Sequence, residues 1–104
     1  MKGEHKRYTV IINEDAANAL DNHVRFLANV STDAVWKLYD DFNEAFTSLE
    51  TMPHRCPIYR TRRVFCVYRQ LIVGRYQIIF SIEEEEENLV KIQYILDSRR
   101  DNDI

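Results

Sequence analysis

Glycine, proline and cysteine occur only twice each in 104 residues, and no apolar run approaches the length of a membrane span. So little Gly and Pro excludes collagen-like and low-complexity chains. Two cysteines, Cys56 and Cys66, are too few for a disulfide framework or a four-ligand zinc site, so both are expected as reduced, partly buried thiols. The strongest apolar runs, Tyr8 to Ile12 and Leu71 to Val73, fall far short of the ~20 residues a transmembrane helix needs. The basic start, Met1 to Arg7, leads into only a short apolar stretch before Asn13 and Glu14. That is not the pattern of a signal peptide, and a cytoplasmic protein is expected. What is present is a globular composition, 45% hydrophobic and 12% aromatic, with no internal repeat and no linker. Residues 1–104 are therefore expected to form one domain around one core.

The net charge of −3 argues against a generic nucleic-acid binder, yet it hides strong segregation. Residues 1–12 carry +2, residues 13–52 carry −6, residues 53–75 carry +6 from six arginines and no acid, and residues 76–104 carry −5. Arg55, Arg60, Arg62, Arg63, Arg69 and Arg75 thus crowd the middle of the chain, with Arg99 and Arg100 near its end. Folding is expected to gather them into a local basic patch. The competing reading is a solvated loop that pairs with the acidic helices and contributes little to stability.

Tyr8 to Ile12, β-branched and aromatic, predicts a buried first strand. Asn13 is a helix cap with Glu14 and Asp15 in the first turn, and Ala16, Leu20, Val24 and Leu27 recur at helical spacing. A second cap in Asn29 to Thr32 opens a helix striped by Val35, Tyr39, Phe42, Phe46 and Leu49, ending at Met52 and Pro53. Residues 53–63 read as a loop. Val64 to Val73, a turn at Gly74, Tyr76 to Ile82, a charged turn at Glu83 to Asn88, and Leu89 to Leu96 read as a three-stranded antiparallel meander. The order β-α-α-β-β-β predicts an α+β fold in which an antiparallel helix hairpin packs on a small antiparallel sheet that includes the first strand. The acidic run Glu83 to Glu87 is no metal site, because consecutive strand residues point to alternate faces. No metal and no cofactor are expected.

Several segments in this order are familiar: Pro53, then Tyr68-Arg-Gln-Leu-Ile-Val-Gly-Arg-Tyr76, Gln77-Ile-Ile-Phe-Ser-Ile82 and Val90-Lys-Ile-Gln-Tyr-Ile-Leu-Asp-Ser-Arg-Arg-Asp101. Together they resemble the RelE/ParE toxin superfamily over nearly the whole chain. The resemblance implies the toxin of a type II toxin–antitoxin (plasmid stabilisation) module, which arrests growth and is neutralised by a cognate antitoxin. A heterotetramer with that antitoxin is compatible with the family. Some members poison DNA gyrase, and others cleave mRNA on the ribosome.

For RNA cleavage, attack of a 2′-hydroxyl needs a base, cations for the phosphorane and an acid for the leaving oxygen. The resemblance puts Arg69 and Arg100 at two of the nuclease branch's cationic positions, but Gln77, after Tyr76, stands where a third is expected. Beyond Arg100 no Tyr or His follows, which leaves His54 and Tyr59 as substitute acid and base. The preferred expectation is therefore a ParE-like poison of DNA gyrase, with Arg60, Arg62, Arg63, Arg69, Arg99 and Arg100 facing the target. The alternatives are a RelE-like ribosome-dependent mRNA endonuclease and a non-toxic binding member of the fold. Trp36, Tyr39 and Phe42 are the candidate anchors for the antitoxin, which would cover a sheet edge and a helix groove.

Overall fold

A computed structural model describes residues 6–60 and 66–97. Its elements are β1 (Thr9–Ile12), α1 (Glu14–Ala28), α2 (Thr32–Ser48), a 3-10 turn (Pro53–Arg55), β2 (Ile58–Tyr59), β3 (Tyr68–Val73), β4 (Tyr76–Glu83) and β5 (Leu89–Asp97). Both helices begin where a side chain satisfies an otherwise orphaned amide. Asn13 Oδ1 accepts from Ala16 N at 2.8 Å, and Ser31 Oγ accepts from Ala34 N at 3.3 Å. The α+β order of two helices against a sheet is as predicted. Among the described residues, no helix is long and apolar enough to cross a membrane.

Besides β1, expected as buried but an edge strand with Ile11 and Ile12 exposed, the sheet differs from expectation in two ways. It is mixed rather than antiparallel: the strand order is β1-β5-β4-β3-β2, and β1 runs parallel to β5. The reason is directional. The helix pair carries the chain away and back, so that Tyr8 N bonds Glu50 O at 2.8 Å and Arg7 bridges Thr51 beside the start of β1. From that end β3 runs the same way as β1, β4 runs back, and β5 runs forward again. The second difference is that residues 53–60, expected as loop, hold the 3-10 turn and a two-residue edge strand, β2, which pairs Ile58 with Arg69 and Tyr59 with Tyr68. The predicted start of the following strand, Val64 and Phe65, lies outside the described residues.

The core forms where the helices meet one sheet face: Leu38, Phe42 and Ala45 of α2 and Leu49 at its C-cap pack with Ile78, Phe80, Val90, Ile92 and Ile95. Ile92 and Ile95 both face this core although an odd number of steps separates them. A bulge allows it, since Phe80 pairs with Ile92 while the preceding Ile79 pairs with Tyr94, leaving Gln93 as the extra residue. Its amide links two elements, accepting from Asn13 Nδ2 at 3.0 Å and donating to Ser81 Oγ at 3.1 Å. Gly74, at φ 59°, makes the tight β3–β4 turn that a Cβ would strain.

Asn13 thus both caps α1 and ties it to the bulge. Asn13→Ala should cost about 1–2 kcal/mol in urea unfolding, the upper range for a lost cap, whereas Asn13→Asp, which retains the capping oxygen, should lose less.

Candidate functional site

The arginine block is where chemistry was expected, and within the described residues much of it is committed to structure. Arg69 shares the helix-facing side of β3 with Leu71 and Val73, and its Nη1 donates to His54 O at 3.1 Å and Cys56 O at 2.7 Å. Arg55 Nη1 donates to Ser48 O and Met52 O, and its Nη2 to Ser48 Oγ at 3.1 Å, so it closes the open end of α2. That contact accompanies a helix end at Ser48, several residues before Met52, which adopts a left-handed conformation at φ 52°. Arg75 reaches the buried carboxylate of Asp97 at 3.7 Å and lies over the Tyr76 ring. Arg60 is exposed beside β2. Arg62, Arg63, Arg99 and Arg100 lie outside the described residues.

Of the four candidate catalytic groups, the three among the described residues, His54, Tyr59 and Arg69, are not brought together. His54 and Arg69 adjoin through the His54 carbonyl, but Tyr59, opposite Tyr68, lies on the other face of the sheet from Arg69. Gln77, where a cation was sought, donates from its amide to Gln70 Oε1 at 3.1 Å. A neutral amide paired in this way offers no positive charge to a phosphate.

A second polar cluster, at the end of the sheet where β1 begins, was not anticipated. Glu84, just past β4, accepts a short hydrogen bond from the Tyr8 hydroxyl and lies 3.4 Å from His54 Nε2 and 3.7 Å from Lys6 Nζ. The Tyr8 and His54 rings meet edge-on at 6.2 Å. The hydrogen bond to Glu84, helped by burial and the carboxylate charge, raises the Tyr8 hydroxyl from 10 to about 12. The same bond, with His54 and Lys6, holds Glu84 below the usual carboxylate range. Nothing in the run Glu83 to Glu87 announced which glutamate Tyr8 would find, because that depends on how β1 lies along β5.

The aromatic candidates divide. Trp36 and Tyr39 are exposed on α2 with ring centroids 6.3 Å apart. Phe42 is buried, stacked edge-on against Tyr76 and Phe46, so it supports the helix from within the core and does not share their surface. Of the two free thiols, Cys56 is buried, and burial pushes it up against the opposing pull of Arg55 and Arg69, while Cys66 is exposed. No group of three or more His, Cys, Asp or Glu that would hold a metal occurs among the described residues.

Two outcomes test these assignments. Arg69→Ala, which strips a charged donor from two carbonyls, should lower stability by about 2 kcal/mol in urea unfolding. The Tyr8 bond contributes stability that is present from above the carboxylate range up to pH 10 and lost as pH rises through about 12, because the folded-state value is raised. The urea midpoint of the wild type should therefore fall more steeply across that window than the midpoint of Tyr8→Phe. At the acid end Glu84, whose folded value is depressed, should make the wild type lose stability faster than Glu84→Gln as pH falls through the carboxylate range.

No curated protein matches the chain. The family described as the ParE toxin of the type II toxin–antitoxin system, parDE, matches residues 10–102, from within β1 to beyond β5. With the helix pair, the sheet and its closing strand all inside that match, the chain belongs to the ParE toxin family of type II toxin–antitoxin systems.

Proposed function

We propose that this toxin arrests growth by poisoning DNA gyrase, with residues 1–104 acting as one unit and no phosphodiester chemistry of its own. The observation that carries this reading is the anchoring of Arg69 to the carbonyls of His54 and Cys56, on the sheet face away from Tyr59. Cleavage of RNA asks for base, acid and cations around one phosphate, and that convergence is what the described residues do not offer. A poison that acts by shape and charge has no such requirement. Arg60, Arg62, Arg63, Arg99 and Arg100 are then the target-facing cations. A cognate antitoxin follows from the family, and a heterotetramer with it and a role in plasmid stabilisation belong to the same proposal.

One observation favours a ribosome-dependent mRNA endonuclease instead. The His54 imidazole is held by Glu84 near Lys6, as a general base would be. Pulse labelling separates the readings. After induction without antitoxin, thymidine incorporation should fail before leucine incorporation, with filamentous cells, and the paired change Arg99→Glu, Arg100→Glu should remove that effect. Leucine failing first, with toxicity lost in His54→Ala, would instead establish the nuclease, and undisturbed growth would mark a non-toxic member of the fold.

A further inference from the structure

The outer edge of β1 is open along most of its length. Thr9 N and Asn13 N donate inward, to Asn88 O at 2.9 Å and Ile92 O at 3.0 Å. By strand alternation Ile11 also faces β5, while Val10 and Ile12 turn their N–H and C=O outward. Tyr8 N points outward as well, but Glu50 O occupies it at 2.8 Å. Among the described residues no backbone group pairs with Val10 or Ile12 on that side.

β1 also lacks the usual protections of an edge. Between Tyr8 and Asn13 there is no charge, proline or glycine, and Ile11 and Ile12 are 42% and 38% exposed. An apolar edge with free backbone groups is a template for another strand. Charge indicates which strand. Lys6 and Arg7 precede β1, whereas the exposed Glu14 and Asp15 follow it. An antiparallel copy of the same segment brings each basic end beside the other's acidic end, so the strand is complementary to itself. Its register is equally restricted. Val10 opposite Val10 would set Ile12 against Tyr8, which Glu50 already holds, and Ile12 opposite Ile12 would set Val10 against Glu14, which is helical. Val10 opposite Ile12 uses every free outward group, each such pair exchanging both of its N–H···O bonds, with Ile11 facing its counterpart across the two-fold axis.

We propose that the toxin self-associates through β1, a second copy pairing antiparallel in this register so that the two five-stranded sheets become continuous. The contact is isologous and therefore closes at the dimer. The Glu50–Thr51 segment, which fills the edge beside Arg7 and Tyr8, limits its length. So short an interface belongs to the weak, reversible class that buries less than about 1,200 Å². It leaves β2, β3 and the exposed side of α2 free.

The test uses the purified, intact toxin. Sedimentation should show a monomer–dimer equilibrium that weakens with added salt, and the Val10 and Ile12 amides should exchange hydrogen more slowly as concentration rises. Ile11→Glu sets like charges against each other at the axis, while within its own sheet the new carboxylate lies beside Lys91. Association should fall at least tenfold, with the circular dichroism of the folded chain retained. A second measurement is covalent. In a Cys66→Ser background, which removes the exposed thiol, Ile11→Cys should oxidise to a disulfide-linked dimer. A facing pair without hydrogen bonds brings its Cα atoms to about 4.5 Å, within disulfide reach. Thr9→Cys, whose counterpart lies about 13 Å away along the strands, should stay reduced. A monomer at every concentration, full association in Ile11→Glu, linkage through Thr9→Cys in preference to Ile11→Cys, or assemblies larger than a dimer would overturn the proposal. These readouts involve neither toxicity nor the antitoxin, so their failure leaves the gyrase reading untouched, and failure of that reading leaves them as they are.

Discussion

Ile78, Ile79 and Phe80, successive residues of the central strand, are all fully buried, and the arrangement of the rest follows from the need to cover β4 on both faces at once. Each such side chain withdrawn from water stabilises the fold by roughly 2 kcal/mol, so the strand dominates the core. The helices cover one face, where Phe42 meets Tyr76. On the other, Ile79 sits between Gln70 and Tyr94, and the Tyr94 ring meets Tyr68 at 6.2 Å across it. The Gln70–Gln77 amide pair completes this second layer. Gln77, at a position where the resemblance implied a cation, is therefore part of the cover over the strand.

Local signals in the chain were sufficient for β1, both helices, β3, β4 and β5 and for their order, but not for the 3-10 turn and β2 within residues 53–60. Asn13 and Ser31 cap the helices because their short polar side chains reach a free amide, a property visible in the residue alone. The alternation in β3 and β4 and the glycine turn between them are likewise local. The direction of β1 was not, since parallel or antiparallel pairing depends on where the helix hairpin delivers the chain. The bulge at Gln93 shows in sequence only as two isoleucines, Ile92 and Ile95, three apart in a strand, a spacing that reads as noise until β4 fixes the register.

The candidate site was less legible, and for a physical reason. An arginine carries the same sequence signature whether it meets a phosphate or the backbone carbonyls of its own chain. Arg55 and Arg69 took the second role because the 3-10 turn and the end of α2 expose carbonyls that need donors. In the same way Phe42 and Tyr39 share a helical stripe, yet one lies in the core and the other in solvent, as a small rotation of the helix decides. Two acids of α2, Asp41 and Glu44, line the hollow beside β3 together with Lys37, while Arg60 is exposed at the end of the described 53–60 segment.

The central claim is that this fold acts on gyrase through its surface and cuts nothing itself. Its most direct test is a reaction of purified gyrase with supercoiled DNA and ATP in the presence of equimolar toxin. The account predicts accumulation of gyrase-linked cleaved DNA, abolished by prior addition of the antitoxin. Unimpaired gyrase, together with cleavage of mRNA on purified ribosomes by the same preparation, would contradict it.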